Sequence, residues 1–440
     1  MSKQHCIDFL DRYFSLTATG TTIKRECLAG LINFMAMAYV FLVIPGILAD
    51  AGIPYNAAVT ATIIITAIGT LFMGLWANFP VAVAPGLGIC AYFSYQICGS
   101  ANYNWQTALG AVFISGCIFL LLTVTRIRQK IIKSVPSDLR HSIVVGIGLF
   151  IAFIGMKNCG LVVSNPSTFV SLGTFSNPAT LLSIIGLCAI TILIINKIHA
   201  ALIIGIIAVS ILGIITGVTK IPDGQLFNLS MNFPTDIFMA LDIKGALSRG
   251  LIDIIISLTL VDLFDSMGVL FGLALKAGFI KPNGKVTNLD RALITDSLST
   301  ISGAVIGVPT LTAYIECSVG VTAGGRTGLT AVITGLLFAA SLIFIPLLPL
   351  VETYATAPVL IIVGALMMQD VGKINFSKFE IALPTFLTII SMPLTFSIAT
   401  GFGLGFLSWT ILRILLGRWK EVNAIMLIVS ICFAMNFALR

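Results

Sequence analysis

From Cys27 to Thr125 the chain carries a single charged residue, Asp50, and residues 158–196, 198–219, 327–351 and 381–412 carry none. A soluble fold cannot present a wet surface with so few charges. Only 10% of the chain is charged, against about a quarter of a typical soluble domain. Apolar residues make up 58%, and mean hydropathy is +1.06. This pattern excludes an ordinary cytosolic enzyme, a secreted disulfide scaffold and a disordered chain. It demands a polytopic membrane protein, whose segment lengths are set by the bilayer. The N-terminal run MSKQHCIDFLDRYF holds Asp8 and Asp11 and no continuous apolar stretch, so it does not read as a signal peptide.

Fifteen apolar stretches are legible among the 440 residues: 27–48, 55–76, 83–98, 105–125, 142–157, 179–196, 199–217, 250–272, 290–307, 310–325, 327–350, 356–371, 380–398, 400–417 and 423–439. They are numbered here as spans 1 to 15. Basic residues fall between them: Lys24 and Arg25 before span 1; Arg126, Arg128, Lys130, Lys133 and Arg140 after span 4; Lys197 after span 6. Further clusters are Lys276, Lys281, Lys285 and Arg291 after span 8, Lys373 and Lys378 after span 12, and Arg418 and Lys420 after span 14. If each segment crosses once, all lie on one side, which is then the cytoplasm. The net charge of +7 therefore marks loops rather than a nucleic-acid surface. The fifteenth stretch breaks the even count and, being short, reads as a helix in the interface. Both termini are then cytoplasmic. The nine cysteines form no CxxC and no metal spacing with the three histidines, so they read as small hydrophobes; no metal and no cofactor is expected.

Residues 23–32, IKRECLAGLI, resemble 243–252, IKGALSRGLI, at an offset of 220, half the chain. The same offset places Thr107, Leu109, Ala111 and Val112 on Thr327, Leu329, Ala331 and Val332. Seven spans per half is an odd number, so the halves insert with opposite orientation. That is the inverted repeat of secondary transporters, whose sites lie at the midplane between interrupted helices.

A charge in hydrocarbon is costly and usually faces a cavity with a task. Asp262 and Asp265 share one face of span 8, in TLVDLFDSMG, and Glu316 lies in span 10, in GVPTLTAYIECSVG. These three read as the carboxylates near the bilayer centre. Asp253 and Asp296 lie near span ends and read as structural. No basic residue reads as deep enough to neutralise the three. A carboxylate in a dry interior without a cation is readily protonated, the property a proton-coupled carrier needs. The bland alternative is that a span 8 acid bonds a helix terminus or a hydroxyl such as Ser257. Spans 3 and 10 each open on a proline, in VAVAPGLGICAYF (81–93) and GVPTLTAYIE (307–316). Each is expected to be a short extended piece running into a half-helix, whose free N–H groups near Gly88 and Tyr314 suit a ligand's acceptors. Gly86 and Gly88 permit close backbone approach. Arg326, in AGGRTG, reads as a cap and cytoplasmic anchor, and Lys157 as a snorkelling span end. No Walker, HExxH or GxSxG motif has a supporting context, so no catalytic residue and no enzyme is expected. A channel would line several helices with polar faces, whereas polar residues here concentrate in spans 8–10.

The tracts VDLFDSMGVL (261–270), TLTAYIECSVGVTAGGRTGLTAV (310–332), APGLGICAYF (84–93) and PTFLTIISMPLTFSIATGFGLGF (384–406) resemble the signature tracts of AzgA-type purine permeases, in the nucleobase–cation symporter class with the uracil-permease fold. The resemblance covers nearly the whole chain. It implies an all-α polytopic membrane protein of fourteen segments in a 7+7 inverted repeat, with short extended pieces in segments 3 and 10. The implied organisation is a cytoplasmic N-terminus (1–26), a core domain in two parts (27–125 and 237–350), a gate domain in two parts (126–236 and 351–418) and a C-terminal apolar helix (419–440). It implies import of adenine, guanine or hypoxanthine by proton symport across the plasma (inner) membrane, and a fold that often forms homodimers. The implied substrate contacts are Glu316, Asp265, Asp262, Cys90, Gly88, Tyr314 and Ile315. Proton coupling falls on Asp262, Asp265 and Glu316. Cys90 stands where such permeases carry Asn, and GVPTLT replaces a GTS-like run. A carrier of the same fold for uracil, xanthine or another small polar solute therefore stays open; an anion carrier would want a cation at the site.

Overall fold

The computed structural model describes residues 3–220, 233–248, 251–279 and 286–439. Lys281 and Lys285, and residues 249–250 of the internal repeat, lie outside the described residues, as does the side chain of Asp253. In chain order the helices are α1 Lys3–Phe14, α2 Ile23–Met37, α3 Val40–Asp50, α4 Tyr55–Leu75, α5 Leu87–Ala91, α6 Trp105–Val124, α7 Ile127–Ser134, α8 Ser137–Asn158, α9 Pro178–Ile195 and α10 Ala201–Ile215. They continue with α11 Ile243–Ser248, α12 Ile252–Lys276, α13 Leu289–Ile306, α14 Ser318–Thr322, α15 Gly328–Ala340, α16 Thr353–Met367, α17 Phe379–Leu394, α18 Ile398–Leu415 and α19 Ala424–Leu439. Among the described residues, nine helices are long and apolar enough to cross a membrane. The molecule is a mostly helical, multi-pass membrane protein.

Boundaries follow local chemistry. Thr22 caps α2 by accepting the Arg25 N–H, and Asn177 caps α9, whose first residue is Pro178. Span 5 starts at Ser137, directly after Pro136, rather than at 142. Span 1 is broken at Ala38–Tyr39 into α2 and α3. Span 11 tightens after Ala340 into a 3₁₀ stretch, Ser341–Leu350, that carries Pro346 and Pro349. One feature was not expected: a hairpin of β2 (Val162–Asn165) and β3 (Phe169–Leu172) after α8. Its turn is held by the Asn165 side chain, which accepts the Ser167 and Thr168 N–H groups.

The helices pack in two groups. The α8 helix lies against α16, α17 and α18, and α9 and α10 lie against α16. In the other group α15 lies against α2 and α4, and α6 against α12 and α13. Small residues set the closest crossings. A Cβ at Gly74 of α4 would come 2.5 Å from the Gly328 carbonyl oxygen of α15, and one at Gly148 of α8 would come 2.9 Å from that of Gly364 in α16.

The two proline-opened spans meet in the interior. In span 3, β1 (Val83–Pro85) runs into α5 and then a π-helix, Tyr92–Ser100. In span 10, β4 (Leu311–Ala313) runs through a 3₁₀ turn, Ile315–Cys317, into α14. β1 and β4 pair antiparallel, Val83 opposite Ala313 and Pro85 opposite Leu311. Extended backbone at membrane depth survives only when its polar groups are satisfied. Here Gly86 N–H donates to Thr310 C=O (3.1 Å) and Tyr314 N–H to Ala82 C=O (3.2 Å). On the outer edges Thr70 Oγ1 accepts the Val83 N–H (3.1 Å), Cys317 Sγ accepts the Ala82 N–H (3.2 Å), and the Tyr314 hydroxyl donates to Pro85 C=O (2.5 Å).

Candidate functional site

The strand pair, α12 and α13 bring the acids of spans 8, 9 and 10 together. Asp265 and Glu316 are both half-buried, and their charges act on each other. The Thr312 hydroxyl of β4 lies beside Asp265. Glu316 Oε1 accepts the Tyr39 hydroxyl at 2.5 Å. Tyr39 is available there because span 1 breaks at that residue. Tyr314 is buried, and Cys90, Asp265 and Glu316 all neighbour it. Ile315 is 58% exposed in the turn before Glu316. Gly268, one turn on from Asp265, faces open space. Asp265, Gly268, Ile315 and Glu316 thus form an open, acid-bearing face.

Two expectations change. Tyr314 N–H is not free for a ligand, because Ala82 C=O takes it. The close approach at Gly88 is to a helix of the other group: a Cβ there would come 2.7 Å from Ile147 Cγ2 of α8. Cys90 is fully buried at the end of α5, and no hydrogen bond to its thiol is found among the described residues.

Asp262 is turned away from the open face. It is fully buried, its Oδ1 accepting the Ser266 hydroxyl (3.2 Å) and its Oδ2 that of Thr300 (3.3 Å); Ser257 is not its partner. Asp296, read from its place in the sequence as structural and near a span end, is fully buried beside it. The expectation that no cation reaches these acids is corrected by Arg128. Although it follows span 4 in a basic loop sequence, its side chain is 1% exposed and Nη2 lies 3.5 Å from Asp296 Oδ2. Its guanidinium rests 4.0 Å from the Phe119 ring centroid, and Nη1 is 3.5 Å from Thr123 Oγ1. The length of the Arg side chain carries its charge from the start of α7 into the interior.

Two other expected end residues also have partners. Arg326 caps carbonyls: its guanidinium donates to the Val321 and Gly325 oxygens. Lys157 rests on aromatic faces, 5.0 Å from the Tyr95 centroid and 5.7 Å from that of Phe396, while the Tyr95 hydroxyl donates to Asp50 at 2.7 Å. Between the two helix groups, Phe264 of α12 packs on Phe402 and Phe406 of α18, with ring centroids 5.8 and 6.1 Å apart. No group of three or more His, Cys, Asp or Glu arranged to hold a metal ion is found among the described residues.

A family model, the Permease family (Xan_ur_permease), matches residues 24–404 of the chain. The chain belongs to this permease family. The permease is 44% identical over 430 residues to a putative permease of Methanocaldococcus jannaschii, covering 98% of each chain. It is 41% identical to the adenine permease AdeQ of Escherichia coli, covering 98% of this chain and 96% of that one. It is 40% identical to the guanine/hypoxanthine permease PbuO of Bacillus subtilis, covering 96% and 98%. Among solved structures, the permease resembles the transmembrane domain of the cyanobacterial bicarbonate transporter BicA with a TM-score of 0.65 at 14% identity, covering 86% of this chain and 96% of that one. It resembles SLC26A9 with a TM-score of 0.66 at 10% identity, covering 95% and 70%. Those two likenesses concern the fold alone. The family is one of transporters, not enzymes.

Proposed function

We propose that this permease imports a purine nucleobase together with a proton. The observation that carries the reading is the pair of half-buried carboxylates, Asp265 and Glu316, on an open face beside the strand crossing. Names of relatives such as AdeQ and PbuO support purine as the class. A purine's ring N–H and amino groups donate to the two carboxylates, each such bond contributing about 1.5–3 kcal/mol. The amide of Gly88 at the start of α5 takes a ring acceptor. Ile315 covers one face of the base. Spans 1–4 and 8–11 act as a core and spans 5–7 and 12–14 as a gate, in fourteen segments built as two inverted halves. Carboxylate protonation couples the proton to the base. The protein resides in the plasma membrane with both termini cytoplasmic, and pairs as a homodimer.

A second reading is kept by one observation. Cys90, buried and a poor hydrogen-bonding group, faces the site where a two-way partner would read a purine edge. Uracil, xanthine or another small polar solute then becomes the cargo.

Uptake of radiolabelled bases into cells lacking their own permeases, with and without a protonophore, decides between these. Saturable purine uptake that collapses with the protonophore is expected. Uptake competed by uracil or xanthine but not by adenine, guanine or hypoxanthine overturns the purine assignment, and protonophore-insensitive accumulation overturns proton coupling.

A further inference from the structure

We infer that Arg128, Asp262 and Asp296 form a store for a single proton, and that the Thr300 hydroxyl reports its occupancy to the strand of span 10. The inference rests on the proton-coupled reading above and assigns roles to two residues, Arg128 and Thr300, that touch no ligand.

The count comes first. Two carboxylates and one guanidinium share a fully buried site, Asp262 and Asp296 at 0% and Arg128 at 1% exposure. With both acids ionised the cluster carries one uncompensated negative charge, which is costly away from water. One added proton brings it to neutrality. A second would leave the guanidinium unbalanced. Arg128 therefore fixes the capacity at one. Asp265, one turn on along α12, feels Asp296 and then Glu316 and acts in turn on Asp262, but it is only half-buried, so the count is taken over the three fully buried groups. The α5, α6, α14 and β4 elements carry no charged side chain, and Arg413 of α18 is held by Glu380 and Glu421.

The switch is a matter of one hydrogen. Thr300 Oγ1 lies 3.3 Å from Asp262 Oδ2 and 3.1 Å from the Leu311 carbonyl oxygen. A hydroxyl has one hydrogen and can donate to only one of them at a time. When Asp262 is ionised, the hydrogen goes to the carboxylate. When a proton binds at Oδ2, that O–H donates to Thr300 Oγ1, and the Thr300 hydrogen turns to the Leu311 carbonyl. One proton enters, and no other bond is made or broken covalently. The Leu311 carbonyl, at the start of β4, gains a hydrogen bond, three to five residues before Tyr314, Ile315 and Glu316. Among the described residues, Arg128 Nε, Asp296 Oδ1 and the neighbouring Thr295 Oγ1 are buried without a hydrogen-bond partner, the setting in which a buried water would be held.

Infrared difference spectra of the purified, substrate-free protein between neutral and acidic pH test the store directly, alongside pH profiles of uptake. A carboxylic C=O band lost in Asp262→Asn is expected in the wild type. Arg128→Met should add a second such band, and Arg128→Met combined with Asp296→Asn, which keeps the cluster's charge balance if the single variant does not fold, should return it to one. Thr300→Val should shift the band, flatten the pH profile and cut accumulation about tenfold, the scale of one hydrogen bond to a charged group, while Thr300→Ser restores all three. A band that survives Asp262→Asn, or a Thr300→Val protein with the wild-type band and pH profile, overturns the inference. A wild type with the expected bands but no nucleobase uptake refutes the substrate reading and leaves the store standing.

Discussion

Two buried glutamates of this permease are held very differently. Glu26, at the start of α2, is 0% exposed, yet both its oxygens are satisfied. Oε1 accepts the Arg326 N–H (2.8 Å); Oε2 accepts the N–H groups of Thr327 (3.3 Å) and Thr330 (3.2 Å) and the Thr330 hydroxyl (2.6 Å). These amides open α15, so Glu26 supplies the negative charge that a helix N-terminus favours. Glu316 is held by the Tyr39 hydroxyl and its own backbone N–H, in a half-open environment. A carboxylate with all its lone pairs answered is architecture. One with lone pairs left over, inside a membrane protein, has room for a further donor, which the proposed function assigns to the substrate.

The comparison breaks if the two respond alike. Glu316→Ala should lower uptake at least about a hundredfold, since two charge-assisted hydrogen bonds are lost, while the protein remains inserted and its melting temperature holds. Normal uptake by that variant refutes its role. Glu26→Ala should do the reverse, orphaning four donors at a cost of about 3 kcal/mol or more. Its thermal midpoint falls, and uptake per folded molecule stays near wild type. Tyr39→Phe removes the hydroxyl donor on Glu316 and should change the KM for the base about tenfold, with little effect on stability. Cys90→Asn, which adds a donor and an acceptor beside Tyr314, should tighten purine binding by about threefold to tenfold; an unchanged competition panel would place Cys90 outside the contact surface. The smallest effect belongs to an exposed acid, Asp11, whose carboxyl is held below its usual range by the N–H and then the hydroxyl of Thr17. Its contribution to the turn after α1 is present above the usual carboxylate range and fades as pH falls through the lowered value. The protection factor of the Thr17 amide, its exchange rate corrected for the intrinsic pH dependence, should therefore fall in acid, and Asp11→Asn should abolish that fall.

Much of this was legible in the residues. Charge-free tracts marked the helices. The prolines of spans 3 and 10 marked the extended pieces, because proline removes a donor and biases the preceding residue away from helix. Asp265 and Glu316 were found as acids in apolar surroundings. What escaped was pairing through space. Arg128 and Asp296 are 168 positions apart, and each stands at a span end where water is the default partner. The available signal was the hydroxyl-rich run of span 9, Thr295, Ser297, Ser299 and Thr300 around Asp296, since hydroxyls in a membrane helix gather about something polar. Glu26 escaped for a similar reason: beside Lys24 and Arg25 it looks like one more loop charge. Gly88 was correctly singled out for close approach, but a sequence does not say which surface approaches.

That surface has a mechanical consequence. Where Gly88 meets Ile147, and Phe264 lies on Phe402 and Phe406, the neighbours meet through methyl groups and rings. The strand crossing, by contrast, is stitched by amides and carbonyls. Displacement along the greasy seam parts mainly methyl and ring contacts, whereas pulling the crossed strands apart forfeits several hydrogen bonds. On the proposed core-and-gate reading, the interrupted helices travel as cargo hold and floor together, and the slip plane lies at the aliphatic and aromatic bearing beside them.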